Sequence, residues 1–136
     1  MLEQRSYLED GEPFPTTYHL SCPHAVRRVA ALEAAGGIDL YEALVASDPA
    51  LRQSYEEGRR RQRELRRPVP LMLDGGASLA LGIGGTQRAG AVKCLHAHVA
   101  FALAEPGYEL GERAAADAGP LFPAAACCSS DDTRGQ

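Results

Sequence analysis

The chain has 136 residues, 45% of them apolar and 24% charged, which is enough for one domain with a real core and too apolar for a disordered chain. Its 14 basic and 18 acidic residues give a formal charge of −4, which disfavours wholesale binding to nucleic acid and leaves room only for a local basic patch. No apolar run approaches the roughly 20 residues of a membrane span, and Met1-Leu2-Glu3-Gln4-Arg5 leads into no signal-like stretch, so a cytoplasmic chain without membrane association is expected.

Residues 5–20 read as extended. Asp10-Gly11 is a turn signal, Pro13 and Pro15 exclude a helix, and Thr16-Thr17-Tyr18-His19-Leu20 is strand-like, so a short hairpin or edge strand is expected. A first helix starts at Pro23, with Ala25, Val26, Val29 and Leu32 on one face, and stops at Gly36-Gly37. A second begins where Asp39 and Glu42 have capping-box spacing, buries Leu40, Leu44 and Tyr41, and ends near Ser47. Asp48-Pro49 restarts the pattern as cap and first residue of a third helix reaching Arg66.

That third helix is polar, with Leu51, Tyr55 and Leu65 as anchors. Seven of the 14 basic residues lie in or beside it: Arg52, Arg59, Arg60, Arg61, Arg63, Arg66 and Arg67. Glu56–Arg60 and Glu57–Arg61 stand four apart, as in a solvated face laced with weak ion pairs. The alternative is a docking face, from Arg59 to Arg67, for an acidic protein partner or a phosphorylated ligand.

Pro68 and Pro70 break the helix. Leu71–Leu73 and Leu79–Leu81 read as short extended runs around Asp74-Gly75-Gly76. A fourth, mostly buried helix runs from about Ala91 to Ala104, and Pro106-Gly107 ends it. The remainder shows no sustained period. The expected fold is mainly α (small α+β), about four helices with one or two short strand pairs, forming a single globular domain over 1–115 with a flexible Ala/Ser-rich tail at 116–136.

Four cysteines, Cys22, Cys94, Cys127 and Cys128, two of them adjacent, make a poor disulfide framework and fit thiols or metal ligands in a reducing compartment. Cys22 falls at the cap of the first helix, where the helix end favours thiolate, although a buried inert cysteine fits as well. In a helix over 91–104, Cys94 and His98 stand at i, i+4, a spacing at which they could share one metal ion or one hydrogen bond, while His96 lies at the edge of the apolar stripe. Zinc normally takes four ligands, and the candidates are Cys22, Cys94, His98 and His96 or His24. The competing reading is that His96 and His98 are hydrogen-bonded core residues. Gly82-Ile83-Gly84-Gly85-Thr86 before that helix has the parts of an anion site, with Gly84, Gly85, Arg88 and Lys93 as its residues. It matches neither a P-loop nor a dinucleotide fingerprint, and a plain connector remains the alternative.

The run Gly11-Glu12-Pro13-Phe14-Pro15-Thr16-Thr17-Tyr18-His19-Leu20-Ser21-Cys22-Pro23, then Gly82-Ile83-Gly84-Gly85, then Val92-Lys93-Cys94-Leu95-His96-Ala97-His98 resembles the bacterial family catalogued as domain of unknown function 501, over about residues 8–105. The resemblance implies no activity. It places Cys22, Gly84, Gly85, Lys93, Cys94, His96 and His98 on the family's motif positions. Many members carry an upstream Cys-x-Cys-Gly motif that looks like two more ligands. These residues contain none, so a thiol–imidazole or partial metal site is expected.

Three functions remain open. The first is a metal- or anion-binding module with a Cys/His site for zinc or another transition metal and a small anionic or phosphorylated ligand. The second is a small hydrolase or transferase acting on a phosphorylated substrate, with Cys22 or Cys94 as nucleophile. The third is a non-catalytic adaptor docking through the Arg-rich helix.

Overall fold

Asp10 and Gly11 turn the chain back on itself. In the computed structural model, which describes residues 2–14 and 16–122, strand β1 (Leu2–Glu3) pairs antiparallel with β2 (Tyr18–His19), Leu2 opposite His19 and Glu3 opposite Tyr18. Further along this hairpin the Phe14 N–H donates to Ser6 O at 2.9 Å. Gly11 has a φ of 86°, and a Cβ there would fall 2.6 Å from Leu71 Cγ, so both the turn and the close packing require glycine.

Helix α1 (Pro23–Ala34) begins where expected, with Cys22 as its extended N-cap and Ala25 and Val29 in the core. Gly36, in the left-handed region, separates it from α2 (Gly37–Ser47). Helix α2 starts two residues before the Asp39 cap read from the sequence, and this changes its inner face. Tyr41 and Val45 are buried, whereas Leu40 is 50% exposed.

Helix α3 (Pro49–Leu65) is capped by Asp48, whose carboxylate accepts from Ala50 N at 3.0 Å and Leu51 N at 3.3 Å. Its inner stripe is Leu51, Tyr55, Gly58, Arg59 and Gln62, with Arg66 buried just beyond. The solvated basic face holds for Arg52, Arg60, Arg61, Arg63 and Arg67, which are exposed, but not for Arg59 and Arg66. The Gln62 amide donates to Gly82 O at 3.0 Å, and the Arg66 guanidinium donates to Ser78 O at 3.0 Å and Phe14 O at 2.8 Å. The helix packs on irregular backbone whose carbonyls need donors, and long polar side chains supply them.

The expected extended runs at 71–73 and 79–81 are not strands. Asp74 accepts from Gly76 N (2.9 Å), Ser78 N (2.8 Å) and the Tyr7 hydroxyl (2.7 Å), and the chain winds into 3-10 turns at Ala77–Ala80 and Ile83–Gly85. A carboxylate that collects local amides offers the backbone a turn in place of a ladder.

Helix α4 (Leu95–Ala104) is the central element, packed against α1, β2 and the next helix, and buried on nearly every side. It starts four residues later than expected. Lys93 has a φ of 64°, and the Cys94 N–H donates to Val92 O at 2.7 Å, a tight three-residue turn that leaves Cys94 as N-cap. A fifth helix, α5 (Glu109–Asp117), forms where no period was read. Its inner face is Leu110, Gly111 and Ala114, with Glu112, Arg113 and Asp117 exposed on the other side. A Cβ on Gly111 would lie 2.2 Å from His98 O, so glycine is what lets α5 approach α4. Leu121 beyond it is also buried. Cys127 and Cys128 lie outside the described residues. No helix among the described residues is long and apolar enough to cross a membrane.

Candidate metal-binding site

The start of α4 meets the end of α1. The first amides of a helix have no partner within it, and one of them, Leu95 N–H, donates to Glu33 Oε1 at 2.9 Å. The same oxygen lies 2.9 Å from His96 Nδ1, while His96 Nε2 lies 3.1 Å from Val26 O on α1. Cys94 Sγ is 3.9 Å from His96 Nδ1. The sulfur, the imidazole nitrogen and the carboxylate oxygen all lie within 4.8 Å of one another, and the three residues are half-buried. Cys94 and His96 line a cavity of about 260 Å³ together with Thr16, His19, Leu20 and Gly84. His19 Nε2 is buried there without a hydrogen-bond partner.

The partners of His96 define its charge. A carbonyl only accepts, so Nε2 carries a proton toward Val26; Nδ1 faces a carboxylate and carries one as well. His96 is therefore an imidazolium whose pKa is pushed up to about 9, first by the Cys94 sulfur and against burial, with the Val26 carbonyl and the Glu33 charge adding to the rise. Burial pushes the Cys94 thiol up, but His96 and the Ala97 N–H pull it down further, leaving it below the ordinary thiol value.

Over residues 1–115 the chain matches the family described as "Protein of unknown function (DUF501)". The chain belongs to the DUF501 family. Comparison with curated proteins and with solved structures returned no match.

This DUF501 chain places the other sequence-derived candidates elsewhere. His98 is not beside Cys94, because an N-cap residue precedes the helical turn that the i, i+4 argument assumed. It is fully buried, with Nδ1 2.7 Å from the Tyr108 hydroxyl and Nε2 3.0 Å from Val92 O, between the rings of Tyr55 and Tyr108. Burial pushes its pKa down to about 4, so it is a neutral core residue that donates to Val92 and accepts from Tyr108. Cys22 caps α1 and is not part of the three-residue group, and His24 faces Pro120 O at 3.0 Å.

The anion-site candidates are divided. Gly84 lines the cavity of Cys94, whereas Arg88 lies 3.7 Å from Glu42 on a different cleft that it shares with Arg52 and Glu56. Gly85 is buried and Lys93 is exposed. On the basic helix, Arg60 and Arg61 are exposed and pair with Glu64 rather than with Glu56 and Glu57, and Arg61 also reaches Glu105. Sequence reasoning missed Glu33 as a site residue. It stands 63 positions from His96, and no local spacing signals that contact.

Proposed function

We propose that this chain is a binding module for a divalent transition metal of the zinc class, held by Glu33, Cys94 and His96. The observation that carries the reading is the grouping of one sulfur, one nitrogen and one oxygen donor within 4.8 Å. The separations of 3.9 Å (sulfur to nitrogen) and 2.9 Å (nitrogen to oxygen) bracket the roughly 3.4 Å between ligands on a tetrahedral zinc with bonds of about 2.0–2.3 Å. The second ring nitrogen of His96 is bonded to the Val26 carbonyl, the outer-shell contact that ligating histidines characteristically make. Thiolate with imidazole suits zinc over magnesium or calcium. Three protein ligands would leave the fourth position of a tetrahedral ion to water or a ligand.

Cobalt titration of metal-free protein tests this. The expected result is one ion per chain with a thiolate-to-metal absorption band, lost in Cys94→Ser and His96→Ala and weakened in Glu33→Gln. Cys22→Ser should leave both unchanged. Absence of the band in the unmodified chain would refute the site.

The hydrolase or transferase alternative draws on the lowered Cys94 pKa. In that reading His96 is not the base, because both its nitrogens donate, to Glu33 and to Val26; a metal ion would instead displace the Nδ1 proton.

A further inference from the structure

After α3 the chain runs alongside the N-terminal hairpin. The Arg67 N–H donates to Ser6 Oγ at 2.9 Å, Leu71 packs on Gly11, and the Leu73 N–H donates to Gly11 O at 3.0 Å. The two stretches lie side by side and run the same way, with Arg5 and Arg67 at one end and the exposed Glu9, Asp10 and Glu12 at the other. Between these ends lies an apolar strip. Leu8, Leu71 and Leu73 are 45%, 54% and 62% exposed, and Leu8, Val69, Pro70 and Leu71 line a groove of about 290 Å³ that Arg5 and Glu9 help to close. Exposed leucines gathered from two segments distant in sequence mark an interaction surface. The charges beside them are unpaired: none of the ion pairs among the described residues includes Arg5, Arg67, Glu9, Asp10 or Glu12. The Arg67 guanidinium donates to a carbonyl, Glu64 O, and the Asp10 carboxylate accepts from Glu12 N within its own turn.

We propose that this strip is a twofold interface at which two copies of the chain pair antiparallel, the basic end of each protomer against the acidic tip of its partner, with Leu8 and Leu71 at the centre. Cations at one end, carboxylates at the other and leucines between make a surface complementary to itself. A half-turn about an axis through the leucines sets opposite charges together at both ends, which is what a closed, isologous dimer requires. A partner carrying one sign of charge would satisfy one end and oppose the other. Pro68 and Pro70 have no N–H to donate, so the pairing is through side chains rather than an extended sheet. The surface has roughly ten residues a side, fewer than the ~20–30 of a standard interface, which sets a weak, reversible dimer. The strip shares no residue with the metal group, so its failure leaves that reading untouched.

The test is sedimentation velocity of the full chain over a range of concentrations, in sodium chloride at about 50 mM and about 500 mM, since the higher salt screens exposed charges. At low salt a monomer–dimer equilibrium should appear with a dissociation constant on the order of 10 μM, weakened at least about fivefold at high salt. Leu8→Asp should weaken it at least about tenfold by placing a carboxylate at the apolar centre. Arg5→Glu alone and Glu9→Arg alone should each weaken it about tenfold, because each sets like charges together at both ends of the twofold. An equimolar mixture of those two variants should regain the original affinity within about threefold, since every end contact in the mixed dimer again joins opposite charges. A chain still monomeric at about 200 μM in low salt would overturn the proposal. So would growth past the dimer, the mark of a head-to-tail contact, or a mixture that associates no better than its separate components. The mixture also decides the matter if Leu8→Asp fails to fold, because its substitutions fall on exposed side chains.

Discussion

Replacing His98 with glutamine should remove most of the acid sensitivity of the fold between pH 7 and pH 5. In the folded chain His98 is fully buried, neutral and bonded on both ring nitrogens, with its pKa pushed down to about 4 by burial; unfolded, it titrates near 6.5. A depressed pKa means that the stabilisation is complete above pH 6.5 and is lost as pH falls through that value toward 4, because the unfolded chain gains a proton that the folded chain refuses. The gap between the two values, at about 1.4 kcal/mol per pH unit, is worth about 3 kcal/mol in total, of which about 2 kcal/mol is lost by pH 5. His96 has the opposite sign. Its raised pKa gives stability that is complete below about 6.5 and is lost as pH rises toward 9, so between pH 7.5 and 5 it partly offsets the His98 effect; both proteins carry His96, and the difference between them is unaffected. Urea unfolding followed by circular dichroism, between pH 7.5 and 5, reads the difference directly. His98→Gln should be the less stable protein at pH 7.5, since the glutamine amide cannot reproduce the ring stacking, and should lose the gap by about 2 kcal/mol on going to pH 5. A stability difference that stays constant across that range would refute the assignment of His98 as a neutral buried base.

Four further outcomes follow from the packing and the site. Lys93→Gly should raise stability by about 1 kcal/mol in thermal unfolding, because a φ of 64° is left-handed backbone that a side chain resists. Gly111→Ala should cost about 3 kcal/mol or abolish folding, since its Cβ would meet His98 O at 2.2 Å of backbone that cannot shift freely; urea midpoints measure this. Arg66→Met should cost about 2–4 kcal/mol by leaving buried carbonyls of Ser78 and Phe14 unpaired, whereas Arg60→Ala, on the exposed side of the same helix, should cost less than about 0.5 kcal/mol. After chelation, iodoacetamide should label Cys94 readily near neutral pH, and His96→Ala should slow labelling about tenfold by removing the imidazolium; mass spectrometry of the Cys94 peptide is the readout.

The sequence by itself determined the features decided within one helical turn. Asp48-Pro49 starts α3, Pro23 starts α1 with Cys22 as its cap, and Asp10-Gly11 turns the hairpin, because caps and turns depend on residues two to four positions apart. The near absence of charge in 95–104 likewise marked α4 as the central helix. Tertiary structure decided the rest. Helix α5 is only nine residues long, too short to hold in isolation, and it is stabilised by packing against α4 at Gly111. The turn at Lys93 moved the start of α4 by four residues, exchanging a Cys94–His98 pair for a Cys94–His96 pair. The burial of Arg59, Gln62 and Arg66 follows from the irregular backbone opposite them rather than from their own helix. Glu33 joins His96 across 63 residues because the last turn of α1 lies against the unpaired amides of α4, and a contact made by packing two helices leaves no trace in the spacing of either one.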